Sequence, residues 1–342
     1  MKESQFRNKI YYFSFLFSLL VIWVHSYNAE LFLGTSLAAK GVDRMERLLG
    51  DVVAQSAVPG FFMISGYLFF RNFSLERLPQ KWGSRIRSVI LPFFLWNTIY
   101  YLVYAAGSRI PWLCDILGKG IIPVSLPAFA DAALRYTYNY VFWYLYQLII
   151  LILLAPLIYL AVHNKYIRLP YLAALLIGLF AGVSLPQLNL DALFFYSMAA
   201  YFAVNHKKEA EAGWSNRRFL SGAAVLAAAF VVYWYSTAFY KTAGIAVYRF
   251  LVPLALWLLV DERRLGEAKP WMKINFFLYA VHFLLVRFIN KTAALYLSGT
   301  AVIPVLLYIL MPVIVLAVSY PAAVILQRYF PALWKILTGG RS

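Results

Sequence analysis

Residues 58–70, VPGFFMISGYLFF, carry no charge, and the run from Arg71 to Arg87 that follows holds five cations and a single acid, Glu76. A second apolar stretch opens at Pro92. Two apolar segments joined by a short cationic turn fit one structure best, a membrane hairpin, because backbone groups in hydrocarbon must find their partners within a helix. The same alternation recurs along the chain, so composition can be read in that light. The chain is 63% hydrophobic and 13% charged, with a mean hydropathy of +0.70, whereas a soluble domain carries about 25% charge. The apolar segments are too long and too evenly apolar for the half-buried strands of a barrel. The fold class is therefore all-α, a polytopic membrane protein.

Ten spans are expected, near 10–27, 52–70, 88–106, 140–161, 168–184, 188–204, 218–238, 246–260, 273–290 and 300–327. The first follows Lys2, Arg7 and Lys9 like a signal peptide, but no small-x-small cleavage site follows it, and it reads as an uncleaved helix. The fifth and sixth are separated only by Leu185 to Asn189 and can be two helices or one kinked element. Of the 31 lysines and arginines, 21 fall in segments on the side of the N-terminus and 9 on the opposite side, with Arg287 inside a span. The positive-inside rule then places both termini in the cytoplasm of a multi-pass protein of a cell membrane, as in a bacterial inner membrane. The expectation is a single transmembrane domain over 1–342, with no separate soluble domain. The longest loop, 107–139, faces outward and is rich in proline and apolar residues.

A net charge of +17 would suggest nucleic acid in a soluble protein. Here the cations sit in short loops, where topology accounts for them, and nucleic acid is not an expected partner. Cys114 is the only cysteine, so the sequence offers no intrachain disulfide and no thiolate metal cluster.

Polar groups within a bilayer are costly and therefore informative. Ser14, Ser18 and His25 share a face of the first helix. His25 stands roughly 24 Å from Lys9 at about 1.5 Å per residue, in the outer part of the core. It reads either as an interfacial histidine reaching headgroups or as a functional group. Asn275, Tyr279 and His282 repeat the pattern in the ninth span, with His282 roughly 15 Å from Met272; a structural histidine is the alternative there. Trp143 and Gln147 share a face of the fourth span, and Asn97 lies in the third. Asp191 is the only acid placed within a span, near its outer end. The cations of the hairpin, Arg71, Arg77, Lys81, Arg85 and Arg87, serve topology, and a cluster of this density also suits phosphates.

VIWVHS at 21–26, VPGFFMISGYLFF in the second span, SRIRSVILPFFLW opening the third, YVFWYLYQLIILILLAPLI in the fourth and INFFLYAVHFLLV in the ninth together resemble the acyltransferase-3 family of membrane acyltransferases. The resemblance covers about residues 10–330. It implies a ten-helix fold that transfers an acyl group, usually acetyl from acetyl-CoA, to a hydroxyl of a cell-surface glycan or lipid-linked sugar. Two family positions carry over: the histidine ending helix one falls on His25, and the basic cluster before helix three on Lys81, Arg85 and Arg87. Many members show paired arginines separated by two residues, whereas here Lys81 stands four before Arg85 and Ser88 follows Arg87.

Acyl transfer to a hydroxyl needs a base beside it and a handle for the donor. A histidine withdrawn from water stays neutral and can accept a proton, which suits His25. His282, Tyr279, Asn275 and Ser18 are candidates for catalytic or channel-lining roles. Lys81, Arg85, Arg87 and Arg71 are candidates for the phosphates of acyl-CoA on the cytoplasmic side. The pantetheine arm would then reach His25 along a channel between helices, and no metal is expected. Transport of a small solute such as an amino acid is the competing reading, to which similar membrane domains have been linked. Ion-coupled carriers commonly use mid-membrane carboxylates, and this sequence places none there.

Overall fold

The computed structural model describes residues 1–238 and 242–340, and among them it is helical throughout apart from turns and loops. The elements are α1 (Glu3–Val24), α2 (Ala29–Leu33), α3 (Leu37–Arg47), α4 (Ala57–Phe70), α5 (Leu78–Arg85), α6 (Leu91–Gly107), α7 (Pro111–Leu117), α8 (Leu126–Arg135), α9 (Trp143–Leu153), α10 (Ala155–His163), α11 (Arg168–Phe180), α12 (Leu190–Asn205), α13 (Lys207–Ala210), α14 (Asn216–Ala238), α15 (Thr242–Leu259), α16 (Asn275–Leu297), α17 (Val302–Tyr329) and α18 (Pro331–Thr338). The ten expected spans lie on helical chain, the fourth of them on two helices, α9 and α10. Among the described residues six helical runs are long and apolar enough to cross a bilayer, or seven if the bent pair α9 and α10 is one span.

Several boundaries differ from the sequence reading, each for a local reason. Helix α1 starts at Glu3 rather than near residue 10, because Arg7 pairs with Glu3 one turn away and keeps the polar turn helical. The second span runs on from α3 through a π-helical stretch (Leu48–Val53) and a 3-10 turn, giving one helical run from Leu37 to Phe70. The fourth bends by 61° between α9 and α10, where Pro156 at the start of α10 cannot continue the ladder. The fifth and sixth are separate helices, α11 and α12. Gly182 adopts a positive φ of 67° after α11, and a Leu185–Leu188 bridge closes the connection. The loop 107–139 contains α7 and α8. The segment 239–249 and the C-terminus, which contribute to the charge count, lie partly outside the described residues.

The chain forms two compact units, each built from three separated segments: 1–17, 55–83 and 147–272 in the first, and 18–54, 84–146 and 273–342 in the second. In the first unit α4 packs against α12. A Cβ on Gly66 would lie 2.9 Å from the Tyr196 carbonyl oxygen and 3.2 Å from the Ala199 Cβ, so this glycine sets the approach of the two backbones. Gly60 plays the same part for α1, since a Cβ there would stand 2.3 Å from the Phe17 ring. Buried Lys9 donates to the carbonyls of Trp257 and Val260 at 2.8 Å each, at the C-terminal end of α15, where the helix dipole favours a cation.

In the second unit α16 packs beside α17, α6 packs against α18, and a Tyr100 hydrogen bond ties α6 to α16. The Tyr100 hydroxyl donates to the Ala280 carbonyl at 2.8 Å, and the Trp96 indole N–H to the Leu337 carbonyl at 2.9 Å. Tyr100 is fully buried, so this bond satisfies a polar tip that would otherwise be orphaned in an apolar core.

Candidate active site

Helix α1 ends at Val24, and His25 sits in the turn that follows, its backbone N–H bonded to the Ile22 carbonyl at 3.1 Å. His282 lies on the second turn of α16 and is 1% exposed, whereas His25 is half-buried. The structure brings the two predicted histidines together: their ring centroids are 5.4 Å apart at 43°. Phe283 closes the other side of His25 edge-on at 5.4 Å.

The tautomer of neutral His282 follows from its partner. Its Nδ1 lies 2.6 Å from the Tyr279 carbonyl oxygen. A carbonyl only accepts, so Nδ1 carries the proton and Nε2 presents its lone pair. That Nε2 is buried without a hydrogen-bond partner. A buried acceptor left open beside a second imidazole is the feature of the site with most chemical capacity.

Tyr279 is fixed by its hydroxyl, which donates to the Val141 carbonyl at 2.6 Å, and by stacking on Phe142 with centroids 5.4 Å apart. It therefore supports the Tyr279 carbonyl on which His282 rests. Asn275 opens α16, and its Oδ1 is buried without a partner. Ser18 is buried on α1, seven residues before His25. Asn97 donates to the Ala133 carbonyl at 3.3 Å. Gln147 holds the loop before α12, donating to the Gln187 carbonyl at 3.0 Å and accepting from the Asn189 N–H at 2.8 Å.

Glu46 is a residue the sequence reading missed. It is fully buried, and its carboxylate accepts the backbone N–H groups of Asn28, at 3.3 and 3.2 Å, and of Ala29, at 3.3 Å. Its carbonyl accepts the Tyr308 hydroxyl at 2.8 Å. Asn290 donates to the Ser26 carbonyl at 3.2 Å, and the Asn28 side chain donates to Asn290 Oδ1 and the Pro304 carbonyl. The segment that follows His25 is thus clamped from α3, α16 and α17. One signal was available: Asn28 and Glu46 flank a span end, where free backbone donors need an acceptor.

Arg71 donates to Glu3 at 2.7 Å and to Glu211 at 2.7 Å, and lies over the Phe6 ring. A phosphate there would have to displace two carboxylates. Lys81 donates to the Phe69 and Arg71 carbonyls at 2.8 and 3.3 Å. Arg85 ends α5 half-buried, and Arg87 is exposed. The first unit also holds a half-open cavity of about 310 Å³ with mostly apolar walls, which none of the predicted site residues lines. Among the described residues no group of three His, Cys, Asp or Glu is placed to hold a metal ion.

Residues 12–326 match the family model described as an acyltransferase domain. The chain is similar to the succinoglycan biosynthesis protein ExoH of Rhizobium meliloti (strain 1021), at 27% identity over 339 residues, covering 88% of this chain and 83% of that protein. No solved structure matches the chain.

Proposed function

Because the chain belongs to the acyltransferase-3 family, we propose that it moves an acyl group, acetyl in the first instance, from cytoplasmic acyl-CoA to a hydroxyl of a cell-surface or exported glycan. The acceptor can be the glycan itself or its lipid-linked precursor. Support for a glycan comes from the similar protein, which is named for succinoglycan biosynthesis. The reading includes ten spans with both termini cytoplasmic, in the cell membrane. Transport of a small solute is set aside, since nothing in the family match favours it.

The observation that carries the proposal is the His25–His282 pair, 5.4 Å between centroids, with His282 Nε2 unpartnered. His25 is the more accessible ring and takes the proton of the acceptor hydroxyl. A small rotation of His25 lets one of its nitrogens donate to His282 Nε2, which leaves the other nitrogen as the base. The hydroxyl oxygen attacks the thioester carbonyl; the new C–O bond forms as the C–S bond breaks. The proton held by His25 is then available to the departing thiolate. Lys81, Arg85 and Arg87 engage the donor's phosphates, and Tyr279, Asn275 and Ser18 orient groups around the pair.

Mass spectrometry of surface polysaccharide from cells with and without the protein tests this reading. The expected result is an alkali-labile acyl mass present only with the protein. Identical glycans in both strains, with saturable uptake of a small solute, would overturn it.

A further inference from the structure

The side of the chain that topology leaves poor in cations gathers several of them at one place. Arg287, on α16, donates through Nη2 to the Leu117 carbonyl at 2.5 Å. Lys291, one turn further on, approaches the Asp115 carbonyl at 3.5 Å. Both converge on Gly118, whose φ is +59°: a Cβ there would lie 2.8 Å from Lys291 Nζ and 3.5 Å from Arg287 Nη2. Lys119 follows in the same turn, with its Nζ 5.2 Å from the centre of the Tyr138 ring and 5.9 Å from that of Tyr104.

Three like charges around one turn call for a counter-charge, and the described residues supply none. Arg287, Lys291 and Lys119 form no ion pair with any described carboxylate. The nearby acid Asp131 is taken up by Arg135 and Thr137, and Asp115 meets the cluster only through its carbonyl. Partial burial and the Arg287 charge push the Lys119 ammonium below the ordinary lysine range. Arg287 Nε and the hydroxyl of the fully buried Tyr104 lie without a partner beneath the cluster. The exposed Lys119 and the half-buried Lys291, Arg287 and Tyr138 together match an acidic sugar, whose carboxylate meets the cations while its ring lies on the accessible part of Tyr138.

Placement agrees with this. Arg287 and Lys291 lie about 8 Å and about 14 Å beyond His282 along α16, at about 1.5 Å per residue. The same half of α16 carries Asn290, which holds the segment after His25. An oligosaccharide of a few residues can therefore lie along this part of the second unit.

We propose that Arg287, Lys291 and Lys119, gathered around the Leu117–Lys119 turn beside Tyr138, form a subsite for a carboxylate-bearing sugar of the acceptor glycan. The subsite rests on the reading of the acceptor as a glycan, and the test is one of binding, so that its outcome does not depend on acyl transfer.

Purified protein in detergent is titrated calorimetrically with an oligogalacturonate and with a neutral galactan oligosaccharide of equal length, at low and high salt. The acidic probe should bind at least about tenfold more tightly, and the preference should fade with salt. Lys119→Ala combined with Lys291→Ala should remove the preference, and the corresponding Arg pair should keep it. Arg287 is left intact in these variants because it caps the Leu117 carbonyl. Equal affinity for the two probes, no binding of either, or an unchanged preference in the double alanine variant would each overturn the subsite. A parallel arm measures retention of phosphatidylglycerol in mixed nanodiscs. If the double variant alters only that retention, the cluster serves lipid headgroups and the proposal fails. Loss of the acyl-transfer reading would appear separately, as unmodified glycan in cells despite intact oligosaccharide binding.

Discussion

The carboxylate of Glu46 accepts the backbone N–H of Asn28 through both oxygens, at 3.3 and 3.2 Å, three residues beyond His25. This contact holds the chain where α1 ends, and with Asn290 on the Ser26 carbonyl it fixes where His25 stands relative to α16. Glu46→Ala would leave the N–H groups of Asn28 and Ala29 buried without an acceptor, at a cost of about 1–3 kcal/mol. We expect acyl transfer to fall about tenfold or more through kcat, with donor KM unchanged. Glu46→Gln keeps one acceptor oxygen and should recover part of the loss. A donor KM that rises with kcat intact would place Glu46 in donor binding instead.

The ionic group around Arg71 predicts a pH dependence. Burial alone pushes the Glu211 carboxyl up, but bonds from Arg71 and Tyr67 outweigh it and hold it below the ordinary range. A depressed folded pKa makes the stabilisation complete at neutral pH and removes it as pH falls through the folded value. Thermal denaturation in detergent should therefore find Glu211→Gln less stable than the parent at about pH 7, with the gap closing towards about pH 3. A gap of constant size across that range would mean that the charge of Glu211 is not what stabilises the contact.

The hairpin cations are tested through the donor. Arg85→Ala and Arg87→Ala should raise the KM for acyl-CoA in membranes that hold normal amounts of protein. Arg→Lys at each position should restore it only in part, since the bidentate fork is lost. Normal donor dependence in both alanine variants would reduce these residues to topology signals.

Orientation is tested by labelling. In a Cys114→Ser background, a cysteine at Ser298 should react with an impermeant reagent from outside, and a reporter fused after Ser342 should behave as cytoplasmic. An external reporter would mean that α11 and α12 do not both cross.

The positions of the helices were legible because uncharged runs bounded by cations leave few alternatives in a bilayer. The histidine pair was legible in part: His25 and His282 each stood on a one-faced polar stripe, but no sequence pattern states that the two rings meet. Glu46 was legible only as an acid near a span end, because GVDRMERLLG around it reads as a polar outer loop. Its burial depends on α3 continuing into α4 and on the free backbone N–H groups after His25, both of which are tertiary facts. Gathering Lys119 and Lys291 around Gly118 likewise needed the fold, since the residues lie far apart in the chain.

Glycan acylation per amount of membrane protein, compared between the parent and His25→Gln, tests the central claim most directly. Glutamine can bond but cannot take up a proton, so the account predicts a loss of about 10²-fold or more at unchanged protein level. His25→Ala should be equally inactive, while His282→Gln, which removes the Nε2 acceptor behind His25, should retain partial activity. Substantial acylation by His25→Gln, with His282→Gln inactive, would contradict the account and assign the base to His282.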